Sequence, residues 1–197
     1  YFISGQLLES PVGEGHYTER LVKLPNLGCC FTPFTVEDTD PPEDAFGFPM
    51  DRSMVRFLRC QQSMKYLPQH DSIYPRVAKR WNKCCFVFVR FENKTELFEK
   101  FWRRLRRAFA AEDLDADRYC RVGAFQPRDR FFALLRKADI YLDCISFSGF
   151  TTALQAVQCG LPIVAMEGEH LKNRLASAVL RGLGMVETIA RSVEEYI

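Results

Sequence analysis

The chain has 197 residues, 47% of them hydrophobic and 26% charged, with 27 Lys and Arg against 25 Asp and Glu. That balance excludes a disordered chain and fits one well-buried domain, or one domain plus part of another. No apolar run approaches the ~20 residues that a bilayer-spanning helix needs, so no membrane partner is expected, while the net charge of +2 decides little about ligands.

Tyr1–Gly5 leads into polar sequence without a leader pattern, and the missing initiator Met reads as a fragment or processed chain. The eight cysteines fall as two adjacent pairs, Cys29-Cys30 and Cys84-Cys85, and four isolated residues, with no C-x-x-C and only three histidines (His16, His70, His170). Free, mostly buried thiols in a reducing compartment are the expectation, hence a cytoplasmic location, no disulfide frame and no metal site.

In chain order, Thr18–Leu24 is short and mixed, and the acidic, proline-bearing run Val36–Ala45 reads as a linker. From Met54 the pattern turns regular. Met54–Leu58 reads as a strand, and Asp71 as the cap of a helix carrying Tyr74, Val77, Ala78 and Trp81 at helical spacing. Phe86–Phe91 is β-prone. Leu97, Phe98, Phe101, Leu105, Ala108 and Phe109 stripe a longer helix whose Arg103, Arg104, Arg106 and Arg107 turn mostly outward. Balanced by Glu96, Glu99, Glu112 and Asp113 and lacking interleaved aromatics, those arginines read as a solvated face, not a nucleic-acid site.

Tyr119–Phe125 is the next strand, followed after Pro127 by a helix with Phe131, Phe132, Leu134 and Leu135. Strand Ile140–Leu142, helix Thr151–Cys159 stopped by Gly160, strand Pro162–Met166 and a helix from Glu169 to Leu183 complete the series. Alternating strands and helices with short loops predict an α/β fold, a Rossmann-like doubly wound parallel sheet. Ligands bind such sheets at the carboxyl ends of the strands, which directs attention to the loops after Leu58, Phe125, Asp143 and Met166.

Three loops carry candidate chemistry. Lys65, with Gln62 beside it, stands where a cation could neutralise a diphosphate; a solvated surface lysine is the competing reading. Gln126, Arg128 and Phe131 flank a helix start where an aromatic ring could stack on a base, or be core. Gly149 permits close backbone approach, and Thr151 and Thr152 offer hydroxyls beside unpaired N–H groups at a helix start, with Thr151 also able to cap the helix. Gly168-Glu169-His170 opens the last long helix in a similar way. There is no G-x-G-x-x-G, phosphate-loop or nucleophile-elbow motif.

The strings Cys60–Gln69 (CQQSMKYLPQ), Ala138–Asp143 (ADIYLD), Ser148–Leu154 (SGFTTAL) and Gly160–Val164 (GLPIV), extended by Gly168-Glu169, Arg174 and Leu183-Gly184, resemble the catalytic region of the O-linked N-acetylglucosaminyltransferase/SPINDLY family, especially its bacterial members. The resemblance implies the C-terminal half of a two-domain (GT-B), metal-independent, inverting glycosyltransferase with no cofactor, moving GlcNAc from the donor substrate UDP-GlcNAc to Ser/Thr of an acceptor protein. It implies residues 1–50 as the tail of an N-terminal catalytic half plus linker, and 51–197 as the nucleotide-sugar-binding domain, cut short at its C-terminus. The acceptor would be bound through N-terminal parts the chain lacks, and the isolated fragment would turn over little.

By the same resemblance Lys65 contacts the donor diphosphate with Gln62 beside it, and Thr151 and Thr152 hold the phosphates. Gln126 and Arg128 line the base pocket with Phe131 stacked on the base. Gln155 stands where the family commonly places an acidic ribose contact, and Phe150 where it places a more polar residue. Those two departures favour an alternative, a noncatalytic nucleotide-binding module; an epimerase-like nucleotide-sugar enzyme is a further one.

Overall fold

The computed structural model describes residues 1–35, 46, 51, 53–90 and 95–197, and the acidic run read as a linker lies outside them. Strands β1 (Phe2–Gly5) and β2 (Leu21–Leu24) form a small parallel pair, where the sequence reading expected no strand. The main sheet comprises β3 (Val55–Arg59), β4 (Cys84–Arg90), β5 (Cys120–Ala124), β6 (Ile140–Leu142), β7 (Ile163–Met166) and β8 (Ile189–Ala190). The helices are α1 (Ile73–Arg80), α2 (Thr95–Ala110), α3 (Ala116–Tyr119), α4 (Arg128–Lys137), α5 (Thr151–Gln158), α6 (Leu175–Gly182) and α7 (Val193–Tyr196).

All pairings in the main sheet are parallel, and its order is β5-β4-β3-β6-β7-β8. The chain builds outward from β3 to β5, returns to lay β6 against the other side of β3, and builds outward again. At that reversal the loops after β3 and β6 diverge over opposite faces, leaving a crevice at the carboxyl edge.

Side chains alternating along each strand feed two cores. Phe57, Phe86, Phe88 and Leu142 face α1, α2, α3 and α7, whereas Leu58, Val87, Val89, Tyr141 and Ile163 face α4, α5 and α6. On α2, Phe101, Leu105 and Phe109 are fully buried, each contributing roughly 1.5–3 kcal/mol by removal from water. On α5 the buried face is Ala153 and Ala156, small enough to seat the helix close on the sheet. Gly160, at φ +68°, ends α5 in the left-handed conformation, with Gly160 N–H on Val157 O at 2.9 Å and Leu161 N–H on Ala156 O at 2.9 Å.

Three local expectations are corrected. Asp71 does not cap α1: Ser72 stands at that position, and the Asp71 carboxylate instead takes Arg104 Nε at 2.8 Å. Arg104 therefore turns inward, also donating to Tyr66 O, while Arg103, Arg106 and Arg107 stay exposed. The predicted helix 169–183 begins only at Leu175, after a 3-10 turn at Leu171–Asn173. Gly168 packs directly on the Asn173 side chain, and buried Arg174 bonds Gly168 O at 2.9 Å and Glu167 at 3.0 Å, which holds this stretch as a turn. His170 thus lies on a loop, its ring 4.5 Å from that of His16. All eight cysteines are free thiols, and only Cys29 and Cys30 are exposed.

Candidate functional site

The crevice between the β3 and β6 loops holds a connected polar cluster. β3 runs into a short 3-10 turn, Ser63–Lys65, that carries Lys65 back over the sheet edge. Its ammonium donates to Gln61 Oε1 at 2.9 Å and to Ser148 O at 3.1 Å, and lies 4.4 Å from the centre of the Phe147 ring. Gln61 in turn donates through Nε2 to Thr152 Oγ1 at 2.6 Å and to Tyr141 OH, and the two hydroxyls are 2.9 Å apart. Partial burial pulls the Lys65 pKa below its ordinary value. An ammonium has three donors, so two are used and one remains for a ligand.

Helix α5 starts here without a side-chain cap: the residue before it is Phe150, which makes no capping bond. The expected cap from Thr151 is therefore absent, and Thr151 is the first helical residue, exposed. The N–H groups of residues 151–153 lack intrahelical acceptors and, with the helix dipole, present positive charge beside Lys65. A cation converging on an open helix N-terminus is chemically able to hold an anion such as a phosphate.

Beneath it, buried Asp143 fixes the loop. Its carboxylate accepts from Ser148 Oγ at 2.6 Å and from Gly149 N–H at 2.8 Å, and Ser148 Oγ also accepts the α6 N–H of Ala176 at 2.8 Å. Arg59, only 5% exposed, donates to the carbonyls of Leu142 and Asp143, to Tyr74 OH at 2.7 Å and to Cys144 Sγ at 3.3 Å, with Tyr66 and Tyr74 rings 5.1 and 5.3 Å away. Main-chain oxygens and π faces thus solvate a buried cation.

Burial pushes the Asp143 pKa up to about 6, against the lowering effect of its hydrogen bonds. Because this folded value lies above the unfolded one, the native state binds the extra proton between about pH 4 and 6, and the associated stability is lost as pH rises through about 6. Relative to Asp143→Asn, the natural chain should lose roughly 2 kcal/mol between pH 4 and pH 7. Urea unfolding at each pH measures this, and a pH-independent difference between the two proteins would contradict it.

The remaining expected site residues spread along the same carboxyl edge. Gln62 is exposed next to Lys65, and Gly149 is buried against the polar cluster. Phe150 and Gln155 are half-buried, on the approach to α5 and along it. Gln126 follows β5, two strands from β3, with Arg128 opening α4; the Arg128 guanidinium lies 4.1 Å over the ring of Phe34, whose N–H donates to Gln158 Oε1 at 3.1 Å. Phe131 is half-buried against the α4–α6 core, 6.5 Å from Phe132. Four residues that hold this site were not singled out from sequence: Gln61, Tyr141, Ser148 as a side chain, and Arg59. Gln61, Tyr141 and Ser148 lie within the strings that carry the family resemblance, but no role was read for any of them.

Fold and site together define a Rossmann-like α/β domain whose polar cluster, with Lys65 beside an open helix start, lies at the switch point of the sheet. The model of glycosyl transferase family 41 matches residues 45–197, and the chain belongs to that family. A UDP-N-acetylglucosamine–peptide N-acetylglucosaminyltransferase of Caenorhabditis elegans is 37% identical over 145 residues, covering 73% of this chain and 12% of the relative. A probable SPINDLY enzyme of the same description from Hordeum vulgare is 23% identical over 203 residues, covering all of this chain and 20% of the relative. Among solved structures, a mutant O-GlcNAc transferase of Thermobaculum terrenum superposes with TM-score 0.75 at 25% identity, over 98% of this chain and 35% of that one. The chain thus spans a fifth or less of the length of these two curated relatives.

Proposed function

We propose that this chain is the nucleotide-sugar-binding part of a protein O-GlcNAc transferase, moving GlcNAc from UDP-GlcNAc to Ser/Thr hydroxyls with inversion. The observation that carries the reading is the convergence of Lys65 on the open N-terminus of α5 in a family 41 chain. The diphosphate sits on Lys65 and the 151–152 helix start, with Gln62 beside it. The base lies toward Gln126, Arg128 and Phe131, the ribose near Gln155, and the sugar near Gly149 and Phe150. As the sugar–phosphate bond breaks, negative charge grows on the departing UDP, and the cation and helix dipole stabilise it without reorganisation. The acceptor protein is held by segments that the longer relatives carry outside the matched region, and the reaction takes place in the cytoplasm.

Calorimetric titration of UDP and of uridine into this chain tests the reading. UDP should bind at least about tenfold more tightly, because charged hydrogen bonds to the diphosphate supply most of the recognition. Equal affinity, or no binding of UDP by the folded chain, would overturn it.

A further inference from the structure

We propose that Gln61 and Tyr141 are positioning residues that make Thr152 an obligate hydrogen-bond donor, aimed at an acceptor-only oxygen of a nucleoside diphosphate. This deepens the diphosphate reading above and rests on it. The argument starts at Lys65. An ammonium only donates, so the Gln61 atom 2.9 Å from it is the carbonyl oxygen, and the orientation of the amide is fixed by charge. Both amide hydrogens then point the other way, one to Thr152 Oγ1 at 2.6 Å and one to Tyr141 OH.

The two hydroxyls, 2.9 Å apart, share one further bond, and either oxygen could donate by geometry alone. Burial decides the direction. Tyr141 is 0% exposed, and among the described residues its hydroxyl bonds only Gln61 and Thr152. Were Thr152 to donate inward, the phenol hydrogen would be buried with no acceptor among the described residues, a state that buried polar groups avoid. Burial also holds the phenol pKa well above its ordinary value, so the proton stays on the oxygen. Tyr141 therefore donates to Thr152.

Thr152 Oγ1 then receives two hydrogen bonds, from Gln61 and from Tyr141, which fills both of its lone pairs. Its own hydrogen is left over, and Thr152 is half-buried at the start of α5, which leaves that hydrogen for a ligand at the sheet edge. A hydroxyl of unconstrained polarity would serve an alcohol or a phosphate equally; this one serves only an acceptor. The relay runs from the Lys65 charge through a buried amide and a buried phenol to a hydroxyl on the second residue of α5. Cooperative polarisation along such a chain strengthens the terminal donor.

The test is a double-mutant cycle on UDP affinity in the 197-residue chain, with uridine as the reference ligand. Thr152→Val should weaken UDP about tenfold and leave uridine within about twofold. Tyr141→Phe should cost about threefold to tenfold in the natural background and less than about twofold in the Thr152→Val background, since it acts through Thr152. Gln61→Glu, which only accepts, should draw both hydroxyl hydrogens inward and cost at least about tenfold. Equal Tyr141→Phe costs in the two backgrounds would overturn the inference, as would unchanged UDP affinity in Gln61→Glu. Should Gln61→Glu not fold by circular dichroism, the Tyr141–Thr152 cycle decides alone. Failure of the folded natural chain to bind UDP would instead overturn the underlying diphosphate reading, and the inference with it.

Discussion

Gly149→Ala should lower stability by about 1–3 kcal/mol and weaken UDP binding by at least about tenfold, because one added methyl strikes the centre of the polar cluster. A Cβ on Gly149 would stand 2.5 Å from both Thr152 Oγ1 and Tyr141 OH, and closer still to Gln61 Nε2. None of the three can step aside cheaply. Tyr141 is fully buried, Gln61 is tied to Lys65, and Thr152 sits on the first turn of α5. The loop must lift instead, which breaks the Gly149 N–H bond to Asp143 and moves Ser148 O away from Lys65. Gly160→Ala is the informative contrast. Gly160 has φ +68° and open space around it, so alanine there carries only a left-handed backbone penalty of about 1 kcal/mol. Thermal unfolding and UDP titration of both variants separate the effects: Gly160→Ala should keep UDP affinity. Retained affinity in Gly149→Ala would show that the cluster does not shape the ligand site.

The comparison of these two glycines shows what the sequence makes legible. The role of Gly160 is local: an apolar-periodic stretch followed by glycine and a new β-prone run predicts a helix stop, and α5 ends there. The necessity of Gly149 is tertiary, since the three groups it must avoid come from the loop after β3, from β6 and from α5. Close backbone approach was legible at Gly149, but not what it approaches. The same division explains the corrections. Asp71 carries a good capping side chain, yet Arg104, 33 residues away, outcompetes the local N–H groups for it. Thr151 has the right hydroxyl one position too late, and Phe150 takes the capping position without a hydrogen bond.

Buried polar residues were the least legible. Arg59 ends a strand of alternating side chains and falls on the core face, where a charged residue is unexpected. Its partners, the carbonyls of Leu142 at the end of β6 and of Asp143 just past it, lie 83 and 84 positions later, brought alongside only by the β3–β6 switch. Gln61 and Gln62 are chemically identical neighbours, and only packing shows that the first points in and the second out. Conversely, Lys65 in the turn after β3 and the Thr151–Thr152 pair at the start of α5 lie at the carboxyl edge, where the fold class alone directs attention.

Lys65→Ala should reduce UDP affinity by about 10–100-fold, the worth of a charge-assisted hydrogen bond of about 1.5–3 kcal/mol, and leave uridine affinity within about twofold. Among the described residues no carboxylate lies within ion-pair distance of the Lys65 ammonium; its present acceptors are the neutral oxygens of Gln61 and Ser148. Partial burial already lowers its pKa, so a bound diphosphate supplies the counter-charge that the protein withholds. Two consequences separate this from loss of a surface cation. First, UDP affinity of the natural chain should hold through neutral pH and fall as pH rises through the lowered Lys65 pKa, a limb that Lys65→Ala lacks. Second, Lys65→Arg should not restore affinity, because a planar guanidinium does not reproduce a compact ammonium held between Gln61 Oε1 and Ser148 O. Under the proposed transfer, a longer chain that turns over should lose more in turnover than in donor binding, about 10²–10³-fold, since charge on a leaving UDP is greatest in the transition state. A Lys65→Ala chain that binds UDP as tightly as the natural one, with the same alkaline limb, would remove Lys65 from the site and leave the helix start to hold the diphosphate without it.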